Sequence, residues 1–573
     1  MLTRTWKAAA RAARAHPAAT VLCTLTLLLY LPGIWWGVPF AVAPDRVQAW
    51  GSDELAPLGP VAELHSVFLA RAPRTFNPQY PLLQYLVQAV FVAPYLGWLF
   101  VTGRLSGPYT DYPFGLVDPA TALMVFTLLA RVPSLLAAAG TVALAAFTAR
   151  EITGSRVAPW IAGAAVMLLY PMAYYGRTSN VDMGALCWTA LTVAVTARIL
   201  TRGWSLRRAV AVGMAAALAT ATKDPSYAAC LPLGLLLVAR QARHPPAGGG
   251  WSGIAVAVAA ALATYVVASG LVFAPERFRM HLDFILHGSQ VVGLDGKPIQ
   301  SPFYNSNPPT MAGYAAVLGA VARALRDSMS YPLLAMAGIG LVWPRRARWL
   351  ALPAVGILVG VILPVRFVQL RFVLIIAYAL TLLGAIAMAG LLEDRRRPVR
   401  VAAVLLLGGL AWNGLRVADL TGQMLTDSRY DLARWLERTA RPGDHVGYYG
   451  APRKLPRLSE RIVTVPMPGQ PGYGRFRPTG VDRPEFILVI PQQTFEGAHE
   501  WQLSEAAFEQ LVSGSTGYRQ VYVAQGRTMF RHRPITFVNP PVRAFAREDV
   551  AEVRGLPLRR TPIEPPATGA GPQ

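Results

Sequence analysis

The chain is poor in cysteine, lysine and charge. Its 573 residues include only three cysteines, Cys23, Cys187 and Cys230, each inside an apolar run. None is spaced as a metal-binding pair, and no disulfide framework follows from them. Lysine is confined to Lys7, Lys223, Lys297 and Lys454, so the net charge of +23 is carried by arginine. Only 15% of residues are charged, 53% are hydrophobic and the mean hydropathy is +0.36. That balance excludes a soluble globular enzyme and implies a chain that crosses a membrane many times. The basic excess is then that of loops on one side of a bilayer, and no nucleic-acid partner is expected. There is no glycine-rich phosphate loop and no internal repeat of the kind that builds transporters.

Apolar runs occur near 18–37, 121–148, 157–176, 183–200, 209–222, 225–240, 251–274, 329–343, 349–364, 372–392 and 400–416. A further run, 81–101, is also long enough to cross, since a span needs about 20 apolar residues. Arginine placement decides how it is treated. Arg150 and Arg156, Arg202, Arg207 and Arg208, Arg240 and Arg243, Arg345, Arg346 and Arg348, and Arg395 to Arg400 all fall on the side of the N-terminus if 81–101 does not cross. The positive-inside bias favours that choice. The expectation is a polytopic α-helical protein of about eleven spans over residues 1–416, N-terminus inside. Residues 38–120 then form one outer loop, in which 81–101 dips or lies flat with Gln84 and Gln88 on its wet face.

Beyond residue 416 the pattern becomes globular. An amphipathic helix over Asp427–Arg438 precedes strand-like runs at His445–Tyr449, Arg461–Val465 and Glu485–Ile490, a helix at Ser504–Val512 and a strand at Arg519–Ala524. This alternation predicts a small extracytoplasmic α/β domain over 417–558. The tail 559–573 is proline-rich and expected to be disordered.

The ionisable residues cluster at the predicted outer ends of the spans. Asp53 and Glu54 follow the first span; acids at membrane depth are costly without a role, although most loop acids are merely solvated. Adjacent residues point different ways, so only one is expected to face a cavity, with Asp53 preferred. Asp182 sits five residues after Arg177, and a local Arg-Asp pair fits as well as a catalytic role. Lys223 and Asp224 interrupt two spans, where a phosphate ligand or a charge pair both fit. Arg366 and Arg371 flank an outer turn; their forks suit phosphate, and interfacial snorkelling is the alternative. His281, Asp283 and His287 lie in an outer loop over 275–312, without metal-ligand spacing.

Taken in order, these pieces resemble the GT-C membrane glycosyltransferases, among them bacterial relatives of protein O-mannosyltransferases and lipid A aminoarabinose transferases. The resemblance rests on Asp53-Glu54, on Asn77-Pro78-Gln79-Tyr80-Pro81-Leu82-Leu83-Gln84-Tyr85, on Arg131-Val132-Pro133-Ser134-Leu135, on Arg150-Glu151-Ile152-Thr153-Gly154, on Arg177 to Asp182, on Thr222-Lys223 and on Arg371-Phe372. It covers about residues 15–400; Gln79-Tyr80-Pro81 departs from the family's double proline before tyrosine and leaves the acceptor pocket open. It implies inverting transfer of a sugar from a polyprenyl-phosphate donor to a lipid, glycan or protein acceptor, in the outer part of a bacterial cytoplasmic membrane. Asp53, Glu54 and Asp182 are then the catalytic candidates. Lys223, Arg371, Arg366 and Arg177 would hold the donor phosphate, and Tyr80, Tyr85, His281 and His287 would line the substrate loops. No metal site is assigned, and a requirement for Mg or Mn is left open. The competing reading is a polyprenyl-lipid transporter or flippase, which predicts inverted repeats and charges at mid-membrane rather than at span ends.

Overall fold

A computed structural model describes residues 16–51, 53–71, 77–243, 250–287, 307–449, 452–467, 483–490, 505–524, 526, 528–530, 535 and 537–557. The expected disordered tail, the N-terminal Arg4, Lys7, Arg11 and Arg14, and the first three residues of the polar outer-loop run 304–309 lie outside these.

The apolar runs become helices. Together with α9 (Pro275–His287), a charged helix in the expected outer loop, they are α1 (Pro17–Tyr30), α2 (Leu83–Val101), α3 (Pro119–Thr153), α4 (Ala158–Met167), α5 (Asp182–Arg202), α6 (Leu206–Thr222), α7 (Ser226–Arg243), α8 (Gly250–Ala268), α10 (Met311–Val342), α11 (Leu374–Leu392) and α12 (Arg397–Leu425). Helix α3 has signals at both ends. Asp118 accepts from the Thr121 amide at 3.0 Å, Pro119 takes the first helical position, and Gly154 closes the helix at φ +70°. Its 35 residues cross the bundle from end to end, packed on α1, α4 and α5. Helix α10 is broken at Ser330, where φ is +65°.

Among the described residues, seven helical stretches are long and apolar enough to span a membrane: α2, α3, α5, α8, Arg345–Val365, α11 and the stretch Arg397–Thr439. The other expected spans are shorter or less apolar helices. Helix α2 meets the same length and hydropathy standard as the rest, so these properties do not distinguish it from a crossing helix. One detail of the expectation is wrong. Gln84 and Gln88 are buried, at 3% and 0% exposure, and the Gln88 amide donates to the Ser179 carbonyl at 3.0 Å. They face the bundle because a buried carbonyl at the start of α5 is available to the amide.

Helix α13 (Ser428–Thr439), capped by Asp427, leads into a mixed sheet that has five strands among the described residues. Its strands are β1 (His445–Tyr449), β2 (Val463–Pro466), β3 (Phe486–Val489), β4 (Tyr518–Ala524) and β5 (Val542–Arg547), in the order β2-β1-β3-β5-β4. β1 runs parallel to β2 and β3, and β5 antiparallel to β3 and β4. Strand β5 and the helix Glu548–Val553 were not expected from the sequence.

This sheet domain grips the first loop. Arg46, 1% exposed, donates to the carbonyls of Leu458, Ser459 and Ile462 at 2.8, 2.7 and 2.7 Å and to the Thr464 hydroxyl at 3.1 Å. The Trp50 indole donates to the Leu455 carbonyl at 2.9 Å, and its ring is faced by the guanidiniums of Arg429 at 3.8 Å and Arg457 at 4.7 Å. Each buried carbonyl taken by Arg46 would otherwise cost a lost hydrogen bond.

Candidate active site at the helix ends

The two acids after the first span are separated by backbone geometry. Asp53 adopts φ +58°, an unusual conformation for any residue but glycine, and one that aspartate and asparagine tolerate best. This turn sends the neighbouring side chains to different places. Glu54 goes inward. Its carboxylate takes the Arg131 fork, with Nε at 3.0 Å and Nη2 at 2.6 Å, and accepts from the amide and hydroxyl of Ser179 at 3.1 and 3.0 Å. Arg131 spends its remaining nitrogen on the carbonyls of Ile34 and Trp36 at 2.6 and 2.7 Å. The pair is 0% and 2% exposed. Glu54, expected as a second catalytic acid, is therefore engaged as a brace between the loop, α3 and the start of α5.

Asp53 stays at the surface of the cluster, 36% exposed, and accepts from Arg371 Nη1 at 2.7 Å. The same nitrogen lies 3.3 Å from the Tyr80 hydroxyl. Beside it, Lys223 is bonded to Asp182, the first residue of α5. Lys223 and Arg371 share the ring of Phe372, at 5.3 and 5.5 Å from its centroid. Burial lowers the Lys223 ammonium from its ordinary value, with Asp182 pushing the other way. Burial also opposes the Arg371 charge, but Tyr80, Asp53 and Asp182 outweigh it and raise its value. The Tyr80 hydroxyl is raised by burial. Asp182, Lys223 and Arg371 line a crevice of about 20 Å³ together with Ala185, Ile357, Val361, Leu374 and Ile375. That volume is on the order of one water molecule, and apart from the three charged groups and Ser226 the walls are apolar.

These residues come from separate places: the first loop (Asp53, Tyr80), the start of α5 (Asp182), the break between α6 and α7 (Lys223) and the turn before α11 (Arg371). A second layer holds the loop in place. His281 of α9 contacts the Pro78 carbonyl at 2.6 Å and Asp224 at 3.1 Å. Arg277, one turn earlier, pairs with Glu63 at 2.8 Å and donates to the carbonyls of Asn77 and Tyr80. The Glu63–Arg277 pair was not foreseen; charges 214 positions apart carry no local pattern.

Other expected residues lie elsewhere or take other parts. Arg177 is 0% exposed and is spent on the carbonyls of Tyr30 and Leu29 at 2.9 and 2.8 Å and on the Thr421 hydroxyl at 2.6 Å. It ties α1 to α12 and does not pair with Asp182. Arg366 sits at φ +55°, with its carbonyl bonded to Asn307 at 2.9 Å. Tyr85 is buried in the apolar cluster beneath Tyr80, under the Arg277 guanidinium at 5.8 Å. His287 is the last residue of α9, and its side chain lies outside the described residues.

Among the described residues no three histidine, cysteine or acidic side chains gather to hold a metal. The three aspartates nearest the crevice each face a cation or imidazole: Asp53 faces Arg371, Asp182 faces Lys223 and Asp224 faces His281. This donor set does not fit a divalent metal, which is bound by converging carboxylates.

No protein-family model and no curated protein matches the chain. Among solved structures it is similar to ArnT from Cupriavidus metallidurans bound to undecaprenyl phosphate, at 15% identity and TM-score 0.48, covering 92% of this chain and 97% of that one. The apo state of that protein gives 14% identity and TM-score 0.44, over 93% and 98% of the two chains. The arabinofuranosyltransferase AftD from Mycobacteria gives 16% and 0.38, over 92% of this chain and 40% of AftD. These likenesses assign neither a sugar nor an acceptor to this chain.

Proposed function

We propose that the chain is a GT-C-type membrane glycosyltransferase. It moves a hexosyl or pentosyl group from a polyprenyl-phosphate donor to an acceptor hydroxyl on a lipid, glycan or protein, with inversion, at the outer face of the cytoplasmic membrane. The observation that carries this reading is the contact of Arg371 with Asp53 and Tyr80 beside the Lys223–Asp182 pair, with Arg371, Lys223 and Asp182 set among apolar side chains at a crevice where the helices end.

Such a site supplies what the reaction needs. The acceptor oxygen attacks the anomeric carbon as the bond from that carbon to the phosphate oxygen breaks, and the phosphate leaves with the electron pair. Asp53 takes the acceptor proton. Arg371 and Lys223 offset the charge gathering on the leaving phosphate, in an apolar setting where each is worth more than in water. Asp182 orients the Lys223 ammonium, and Tyr80 orients the Arg371 fork. No step runs through a metal.

The test is transfer in membranes supplied with radiolabelled polyprenyl-phosphate sugar. Wild type should move label into an acceptor fraction, and Asp53→Asn should lose about 10²–10⁴-fold in rate while still binding donor. Movement of the donor across the bilayer without transfer would overturn the reading in favour of a flippase.

A further inference from the structure

At the opposite end of the bundle from Asp53 there is a larger cavity. It measures about 350 Å³ and is lined by His16, Pro17, Phe147, Arg150, Arg156 and Trp160, at the start of α1, the end of α3 and the start of α4. That size is in the range of small-molecule sites. The local field is positive. Arg198 stands over the Phe147 ring at 5.5 Å, and the His16 ring meets the same ring at 5.6 Å. Burial lowers the His16 imidazole, and Arg150 and Arg198 lower it further. The nearby acids are already engaged: Glu151 holds the Arg202 fork at 2.5 and 2.9 Å and the Thr201 hydroxyl at 2.8 Å, and Glu393 accepts from Ser155 at 2.5 Å.

From this cavity an apolar track leads along the bundle. Val21, Leu25 and Leu28 of α1 are exposed at 43%, 43% and 62%, spaced to lie on one face, and Trp160 at the cavity rim is 40% exposed. A tryptophan at the rim of an apolar track is a membrane-interface anchor.

We propose that this cavity seats the phosphate of an anionic phospholipid from the leaflet on the arginine-rich side, with Arg150 and Arg156 as its ligands and the acyl chains lying along α1. Arginine forks match phosphate oxygens two at a time. The inner leaflet supplies anionic lipid to basic residues of this kind. The site is remote from the crevice, so its occupancy does not depend on the transferase reading.

The experiment is native mass spectrometry of the purified full chain with equimolar phosphatidylglycerol and phosphatidylcholine. Wild type should retain phosphatidylglycerol over phosphatidylcholine, and the Arg150→Gln/Arg156→Gln double variant should retain roughly tenfold less of it, at about a fewfold for each basic residue removed. Arg150→Lys/Arg156→Lys should recover part of the retention, which a misfolded double variant would not. Soluble glycerol phosphate at millimolar concentration should fail to displace the lipid; displacement would overturn a lipid occupant in favour of a free phosphate. Equal retention by wild type and the glutamine variant, or an equal loss in Arg207→Gln, would reduce the effect to general surface charge and overturn the site.

Discussion

Replacing Glu54 by glutamine separates the two neighbouring acids. In the native chain the Glu54 oxygens receive four donors, two from Arg131 and two from Ser179, and both charged partners are almost wholly buried. A glutamine keeps one oxygen and puts an NH₂ group where the other accepted. Whichever way the amide turns, donors of Arg131 or Ser179 then face a donor. The Arg131 charge remains buried without its counter-ion, and breaking such a pair costs about 3–5 kcal/mol. Asp53→Asn differs because its carboxylate is 36% exposed to water and its partner Arg371, itself only 6% exposed, keeps the Tyr80 hydroxyl at 3.3 Å and the neighbouring Asp182 charge. Asparagine also accepts the φ of +58°. Thermal unfolding of the two purified variants, followed on the preparations used for transfer, should show a large fall in melting temperature for Glu54→Gln and little change for Asp53→Asn. Transfer should be lost in Asp53→Asn at full stability. A Glu54→Gln protein that melts like wild type yet transfers nothing would refute the division of labour and return Glu54 to the chemistry.

Arg371→Ala should weaken donor binding by about 2–4 kcal/mol, read by titration of polyprenyl phosphate, because it removes a charge-assisted partner of a desolvated anion; unchanged affinity would move the phosphate site elsewhere. A cysteine at Ser106 should react with an impermeant thiol reagent from the outer side, and labelling only after the membrane is breached would make α2 a crossing helix. Arg46→Ala should speed amide exchange across 458–464, since four bonds to that segment disappear; unchanged exchange would mean that the sheet domain holds itself. In the sheet domain, the Arg554 fork at 2.5 and 2.8 Å and the Arg441 amide hold Asp444 below its ordinary value against the opposing effect of burial. The stability this adds is present above the ordinary carboxylate range and is lost as pH falls through the depressed value. An Arg554→Ala protein should therefore show a shallower loss of stability on acidification than wild type.

What was legible in the sequence was what is encoded locally. Apolar runs became helices, and the alternating runs at 445–449, 461–465, 485–490 and 519–524 became strands within a residue or two. The acid pair, Lys223 and Arg371 stand out because charge at the end of an apolar run is conspicuous; Lys223 and Arg371 meet at one crevice, and Asp53 is bonded to Arg371. The partners were not legible, because they are set by distant residues. Nothing beside Glu54 says that Arg131 waits 77 positions away. Arg177 looked paired with Asp182 at five residues' distance, yet its donors found the carbonyls at the end of α1. Gln84 and Gln88 carried the spacing of a wet helix face, and a single buried carbonyl reverses that meaning. Strand β5 could have been found: Val542-Arg543-Ala544-Phe545-Ala546 has strand character, masked by the prolines before it.

The grip of the sheet domain on Arg46 and Trp50 has a consequence for the order of biosynthesis. The loop that carries Asp53 emerges early, but its carbonyl partners lie 405 to 416 positions later in the chain. Contacts of such separation form late, because the intervening chain must first be placed. Until then Arg46 lacks the carbonyls of 458–462 and Trp50 that of Leu455, although Trp50 already has the Trp36 ring and the Gly37 carbonyl and the turn at Asp53 already has Arg131, Ser179 and Arg371. The segment just before the acidic turn, Arg46 to Trp50, thus gains its last hydrogen bonds only when the last-made part of the chain folds back onto the first loop.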